Sequence, residues 1–75
     1  MEQEDLDLIT EWKERDLELK RLWQEHLEFE EQLEAFNRRV YLSASEQTER
    51  KIIQKKKLKG RDLIERILLR LRSQG

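Results

Sequence analysis

His26 is the one histidine of this sequence, and histidine is the residue best suited to acid–base chemistry near neutral pH. Such chemistry needs further groups at the same place: three or four ligands for a metal, or an activated nucleophile for covalent catalysis. Glu30 lies one helical turn away, but Trp23 stands where a di-iron bundle has the glutamate of its Glu-x-x-His pair. We therefore expect no catalytic residue, no metal site, no cofactor and no enzymatic activity.

The acidic and basic residues lie in opposite halves of the chain. Residues 1–37 contain 13 Asp and Glu against 4 Lys and Arg, and residues 38–75 contain 4 against 12. Proline is absent, so nothing forces a break within either half. We predict one all-α domain, an antiparallel two-helix hairpin resembling a coiled coil, in which the acidic helix packs against the basic one. Helix 1 should span about residues 6–41, the turn about 42–45 and helix 2 about 46–72.

The apolar residues of helix 1 repeat in heptads, which predicts packing against another helix. Arg15 interrupts the repeat, so the seam weakens toward the N-terminus. One seam position holds Trp12, Leu19, His26, Leu33 and Val40, and the other holds Leu8, Leu22, Phe29 and Phe36.

The turn contains the residues of a helix capping box. Ser43 precedes Glu46 by three residues, so the serine oxygen and the glutamate carboxylate can each bind a backbone N–H of the other residue. Ser45 is a competing N-cap. Either arrangement starts helix 2 at residues 44–46.

Helix 2 carries apolar residues on more than one side. One seam contains Ile53, Lys57, Gly60, Ile64, Ile67 and Leu71, while Leu58 and Leu69 lie on a second side, and Ile52 and Leu63 on a third. A lone hairpin cannot bury all of these sides, and a chain of 75 residues without Cys has no disulfide to stabilise it. We therefore predict self-association into a homodimeric four-helix bundle.

In an antiparallel hairpin, residues at equal distances from the turn lie opposite each other, which gives the predicted register of the two helices. It places His26 opposite Asp62, and we predict that these two form a structural pair. It also places Gly60 close to Phe29, where the missing side chain would make room for the ring. Trp12 lies beyond the end of helix 2. We expect an oligomer or partner interface at Trp12, Leu58, Leu63 and Leu69, although Trp12 and Trp23 are also compatible with ordinary core positions.

Residues 50–61 form a basic stretch. Such a stretch can bind nucleic acid or an acidic partner. Against this, no aromatic residue is interleaved for base stacking, the formal net charge of the whole chain is −1, and an acidic helix packs alongside. A solvated, internally paired face is therefore favoured over nucleic-acid binding.

Residues 53–68 carry a pattern similar to that of the YdcH-like proteins, a bacterial family of small helical hairpins with no established activity. Ile53, Lys55, Lys57-Leu58, Asp62, Ile64 and Ile67-Leu68 fit the family pattern, with Arg61 in place of its lysine. Glu25-His26, with Leu27 and Glu30, resembles its first helix, and Tyr41-Leu42-Ser43 resembles its turn. Gly60 departs from the pattern, which has an apolar residue there. The resemblance implies a bacterial hairpin fold in the cytoplasm, and it points to no particular activity, because none is established for the family.

The acidic start of the chain lacks the basic and apolar regions of a signal peptide, and no apolar run is long enough to span a bilayer. We expect a cytoplasmic protein with no membrane contact. The first functional hypothesis is a small structural or protein-interaction protein that acts through its helical surfaces. The second is a nucleic-acid-associated accessory protein that uses residues 50–61.

Overall fold

The chain folds into three α-helices. The computed structural model describes residues 2–74, with α1 at Gln3–Trp12, α2 at Leu17–Asn37 and α3 at Ala44–Gln74. The predicted all-α class is confirmed, and the described residues contain no strand. Helices α2 and α3 lie antiparallel, since Asp16 before α2 bonds to Arg70 late in α3. Helix α1 packs against both of them, so the arrangement has three helices where two were predicted.

The predicted first helix, residues 6–41, is divided by a hinge at residues 13–16. The Trp12 carbonyl accepts hydrogen bonds from Arg15 N and Asp16 N, both at 2.9 Å, which closes the end of α1. Asp16 then adopts an extended conformation, with φ −123° and ψ 103°, and its side chain accepts a hydrogen bond from Leu19 N at 3.1 Å. Aspartate is a favoured N-cap residue. A local capping signal therefore starts a new helix inside the continuous heptad pattern.

Helix α2 ends at Asn37, before the predicted end at residue 41. Arg38 N donates to the Glu34 carbonyl, and Arg39 N donates to the Phe36 carbonyl three residues back, which tightens the last turn. The connection therefore covers residues 38–43. Val40 lies in it, fully exposed, so its predicted seam position is wrong.

The predicted capping box at the start of α3 is confirmed. Glu46 N donates to Ser43 Oγ, and Ser43 N donates to Glu46 Oε1, both at 3.2 Å. Helix α3 consequently begins at Ala44. Arg39 also forms an ion pair with Glu46, which links the two sides of the connection.

The core lies at the end of the α2–α3 pair that α1 covers. Its most deeply buried residues are Ile9 of α1, Leu19 of α2, and Ile64 and Leu68 of α3. The predicted α3 seam is largely correct, because Ile53, Ile64, Ile67 and Leu71 are all buried. Ile9 and Leu68 were not among the predicted seam residues. The remaining buried residues of this cluster are Leu22, Ile67 and Leu71.

Ion pairs join the acidic half of the chain to the basic half. Asp16 bonds to Arg70 at 3.4 Å, Glu30 lies 3.6 Å from Lys57, and Asp5 pairs with Arg72. These pairs are partly exposed, and such pairs contribute only about 0–1 kcal/mol each. They therefore favour this register over others more than they stabilise the fold.

Candidate interaction surface

His26 lies in the α2–α3 contact with only 6% of its surface exposed. Its ring stacks on Trp23, with 5.3 Å between the ring centroids and an interplanar angle of 15°. Nε2 lies 3.1 Å from Glu30 Oε1. Nδ1 is buried, and no hydrogen-bond partner for it is found within residues 2–74. The ring is thus held between Trp23 and Glu30, with Nδ1 buried and Nε2 directed at the Glu30 carboxylate.

Burial lowers the pKa of His26 below its ordinary value of 6.5. The nearby charges of Lys57 and Arg61 lower it further, while the charge of Glu30 and the hydrogen bond to it act in the opposite direction. The imidazole is thus neutral at pH 7. We assign its proton to Nε2, which then donates to the Glu30 carboxylate.

The predicted pairing of His26 with Asp62 is not formed. Glu30, one turn along α2, takes the place expected for Asp62. Asp62 is exposed, and no ion pair or hydrogen bond involves it in the part of the chain that the structure describes. His26 instead borders a groove with Arg61. Asp62 lies two residues before the buried Ile64, and at about 100° per residue its side chain therefore points away from the α2–α3 contact.

We expect Glu30→Gln to lower the pKa of His26, because it removes the carboxylate that raises this pKa. The matched change Asp62→Asn should leave the pKa where it is. NMR titration of the imidazole resonances measures both. A pKa that responds to Asp62→Asn and not to Glu30→Gln would restore the predicted pair.

The direction of the shift also fixes the pH dependence of stability. Since the unfolded chain has the higher pKa, it binds more protons than the folded chain between the two values. The contribution of neutral His26 is present above pH 6.5 and is lost as the pH falls through the folded-state pKa. This is the opposite of what a histidine stabilised by an anionic partner would show.

The basic stretch is less internally paired than predicted. Within residues 50–61, Lys57 lies near Glu30 and Arg61 bonds to Glu65 at 3.2 Å. The other lysines of the stretch are exposed on α3, and none has an ion pair with another described residue; they are Lys51, Lys55, Lys56 and Lys59.

The four residues predicted for an interface have different environments. Trp12 does not project beyond the fold, because α1 turns back and packs this half-buried ring against the core. The guanidinium of Arg15 lies 5.3 Å from the ring centroid. Leu63 is half-buried against the core as well. Leu58 and Leu69 are exposed.

Within residues 2–74, no helix lies over one side of the α2–α3 pair. Cavities that α1 borders are lined on α3 by residues such as Arg61, Glu65 and Leu68. At about 100° per residue, Lys56, Lys59 and Leu63 lie on the other flank of α3. We call that uncovered side the open face and define it by Leu22, Phe29, Phe36, Ile52, Gly60 and Leu63.

The open face contains two shallow apolar grooves. One, of about 230 Å³, lies between Phe29 on α2 and Gly60 and Leu63 on α3. The other, of about 250 Å³, lies beside Phe36 and Ile53. Both phenylalanines were predicted to face helix 2, yet both are only half-buried. Contiguous apolar surface rimmed by polar residues marks interaction sites on proteins, and a partner on this face would cover the half-buried rings of Phe29 and Phe36 further.

The open face has acidic and basic edges. Glu25 of α2 lines the groove at Phe29 from one edge, and Lys56 and Lys59 of α3 line it from the other. A partner that carries the reverse order of charges would therefore match it.

Gly60 does not accommodate the Phe29 ring. A Cβ atom added at Gly60 would meet nothing within 4 Å, so the predicted crowding is wrong and the position borders an open groove.

We expect Gly60→Ala to raise the free energy of unfolding by about 1 kcal/mol, since glycine costs that much inside a helix and alanine meets no clash here. The melting temperature should rise by about 4–8 °C for a domain of this size. Thermal denaturation at a protein concentration that keeps the chain monomeric measures it. Gly60→Leu should also be no less stable than the parent. A lower melting temperature for Gly60→Ala would mean that Phe29 closes over this site in solution.

Within the described residues, no group of three His, Cys, Asp or Glu side chains is placed to hold a metal ion. No described helix has an apolar stretch of the length needed to cross a bilayer. Comparison of the chain with protein-family models, with curated protein sequences and with solved structures gives no match.

Proposed function

We propose that this chain is a small helical protein-interaction module whose open face binds a second copy of the chain. The observation that carries this proposal is the open face itself: two apolar grooves along a helix pair that α1 covers on its other side only. The proposal assigns the chain no catalytic activity and a cytoplasmic location. The resemblance to the YdcH-like proteins supports it, since those proteins are helical hairpins without an established activity.

The charge pattern selects one arrangement of the two copies. A two-fold axis parallel to the helices places the acidic α2 of each copy over the basic α3 of the other. Glu25 then faces Lys56 and Lys59 of the second copy across the apolar grooves. An axis across the helices would instead place α2 over α2 and oppose like charges. The favoured arrangement is a homodimeric four-helix bundle with α1 helices on its outside.

Sedimentation equilibrium at tens of micromolar tests the dimer. We expect Lys59→Glu and Glu25→Lys each to weaken association, and the double variant to restore it, because the exchanged charges again face each other. Lys55→Glu, on the outer side of α3, serves as the matched control and should leave association unchanged. A parent chain that is monomeric at this concentration and unfolds cooperatively would overturn the proposal.

The second candidate is a nucleic-acid-associated accessory protein, favoured by the exposed lysines of residues 50–61. Binding through phosphates falls steeply with salt concentration. Retention on immobilised DNA at about 150 mM salt, reduced by a joint Lys51→Gln and Lys55→Gln variant, would support this candidate over the first. Stacking does not add to such binding, because residues 50–61 contain no aromatic side chain.

A further inference from the structure

The hinge at residues 13–16 is close to being helical. Lys13 has helical backbone angles, with φ −59° and ψ −29°. Two hydrogen bonds with the four-residue spacing of an α-helix lie in it: Lys13 N donates to the Ile9 carbonyl, and Asp16 N donates to the Trp12 carbonyl, which also accepts from Arg15 N. The chain leaves the helical path at Asp16, whose conformation is extended. A change centred on this one residue would join α1 to α2.

The sequence also supports the joined helix. Neither glycine nor proline occurs in residues 13–16, and the heptad spacing of Leu8, Leu22 and Phe29 runs through the hinge, with Arg15 as its one charged position. Straightened, residues 3–37 would form a helix about 50 Å long at 1.5 Å per residue. The bent form is favoured by the Asp16 cap, which a straight helix lacks, and the burial of Ile9 holds α1 on its own chain until another copy supplies the same contact.

Straightening separates α1 from its binding site and leaves two matching apolar surfaces. On α1, Ile9 and Trp12 lose their cover. On the α2–α3 pair, the surface around Leu68 and Leu71 loses α1. A second copy carries both surfaces, so it can supply the same contacts. Short hinges that join a docked element to the rest of a fold are the usual place for such exchange.

The direction of α1 fits an exchange. Glu2 and Glu4, at the start of α1, border a cavity with Arg61 and Glu65, whereas its end leads to Asp16 beside Arg70. The first turn of α1 also reaches Arg72 through Asp5, so α1 turns back from the hinge and crosses the α2–α3 pair, in the direction roughly opposite to α2. Two copies that meet at the N-terminal ends of α2, with α2 pointing in opposite directions, place each straightened α1 antiparallel to the other copy's α2.

We infer that α1 is an exchangeable arm: straightening of the hinge at Asp16 docks α1 of one copy onto the α2–α3 pair of another. The exchanged dimer re-forms every α1 contact of the monomer between chains, including the ion pair of Asp5 with Arg72. It uses the side of the α2–α3 pair opposite the open face. It therefore does not depend on the open-face dimer.

Cysteine pairs report the exchange directly, because the chain has no cysteine of its own. A copy that carries Asp5→Cys is incubated at high concentration with a copy that carries Arg72→Cys, then treated with a short flexible bis-maleimide and analysed by mass. The linker spans the distance that the Asp5–Arg72 ion pair bridges, which a direct disulfide need not reach. We expect a cross-link between the two different chains. Lys59→Glu in both copies, which disrupts the open-face dimer, should leave this product unchanged.

Leu17→Pro provides the decisive variant. Leu17 is the first residue of α2 and is 79% exposed. Its N–H makes no hydrogen bond to any described residue, and proline is favoured at the first helical position. The extended Asp16 before it is the conformation that a following proline requires. Proline is thus compatible with the bent hinge and incompatible with a continuous helix.

We expect Leu17→Pro to abolish the inter-chain cross-link. In a single chain with both Asp5→Cys and Arg72→Cys, the same change should leave the intramolecular cross-link intact, which shows that the bent fold is retained. Asp16→Ala removes the N-cap from the bent hinge of each of the two monomers, and each loss should favour exchange about fivefold, so the exchange equilibrium should shift about 25-fold. Absence of the inter-chain product in the parent, or its persistence with Leu17→Pro, would overturn the inference. So would loss of the intramolecular cross-link with Leu17→Pro, because the bent hinge would then not exist.

Discussion

Leu68→Ala is expected to lower the free energy of unfolding by about 2–5 kcal/mol, the usual cost of removing a buried leucine side chain. The change in the next residue, Leu69→Ala, should cost less than about 0.5 kcal/mol, as for an ordinary surface position. Leu68 is 2% exposed, whereas Leu69 is 66% exposed. Both lie in the interior of α3, so the two changes alter helix propensity equally, and their difference measures burial.

Urea denaturation of the two variants at a concentration that keeps the chain monomeric gives this difference. Comparable losses for the two leucines would mean that α3 is rotated relative to its position here. The register that places His26 opposite Asp62 also places Leu19 opposite Leu69, since the two members of each pair lie at equal distances from the turn. A larger loss for Leu69→Ala would therefore favour that register.

Part of the core was predictable because its residues keep helical spacing along α3. Ile53, Ile64, Ile67 and Leu71 follow the alternating three- and four-residue steps of a helix face, and all four are buried. The start of α3 was predictable for a different reason. The two hydrogen bonds between Ser43 and Glu46 are local, so neighbouring residues specify them without reference to the rest of the fold.

The division of the first helix was not predictable from periodicity. The heptad pattern is compatible with both a straight and a bent helix, and Asp16 is a good cap only once the chain has bent. The choice depends on what α1 gains by packing against the other helices. Ile9 provides much of that gain, and it lies outside the heptad seam. Its role becomes visible only when α2 and α3 are both in place.

The surroundings of His26 depended on which side of α3 faces α2, and a difference of one or two residues along α3 changes that side. The sequence located the histidine in the helix contact, where it is indeed buried. The sequence did not show whether the imidazole's hydrogen-bond partner lies on the opposite helix or, as with Glu30, on the same helix. The open face was missed for a related reason. Phe29 and Phe36 were assigned to the seam, and which flank stays uncovered depends on the side to which α1 folds.

Ile9→Ala tests whether α1 is docked as the structure shows. Ile9 is 1% exposed and contacts the core from α1. We expect its truncation to cost about 2–5 kcal/mol. Ile52→Ala is the matched control, since it makes the same chemical change at a residue that is 48% exposed. It should cost less than about 1 kcal/mol. Urea denaturation followed by circular dichroism gives both values under conditions in which the chain is monomeric.

The free energy of unfolding lost in Ile9→Ala cannot exceed the free energy that α1 gains by docking on the other helices. A ten-residue helix is marginal in water on its own, so α1 will unfold or straighten once its contacts are worth less than its ordering costs. The α2–α3 pair would then remain folded, and part of the loss would appear as exposure of Trp12. Fluorescence of a Trp23→Phe background, in which Trp12 is the remaining indole, should shift to longer wavelength in Ile9→Ala before the main unfolding transition. Equal stability of Ile9→Ala and Ile52→Ala, without any shift in Trp12 emission, would show that Ile9 does not hold α1 in place.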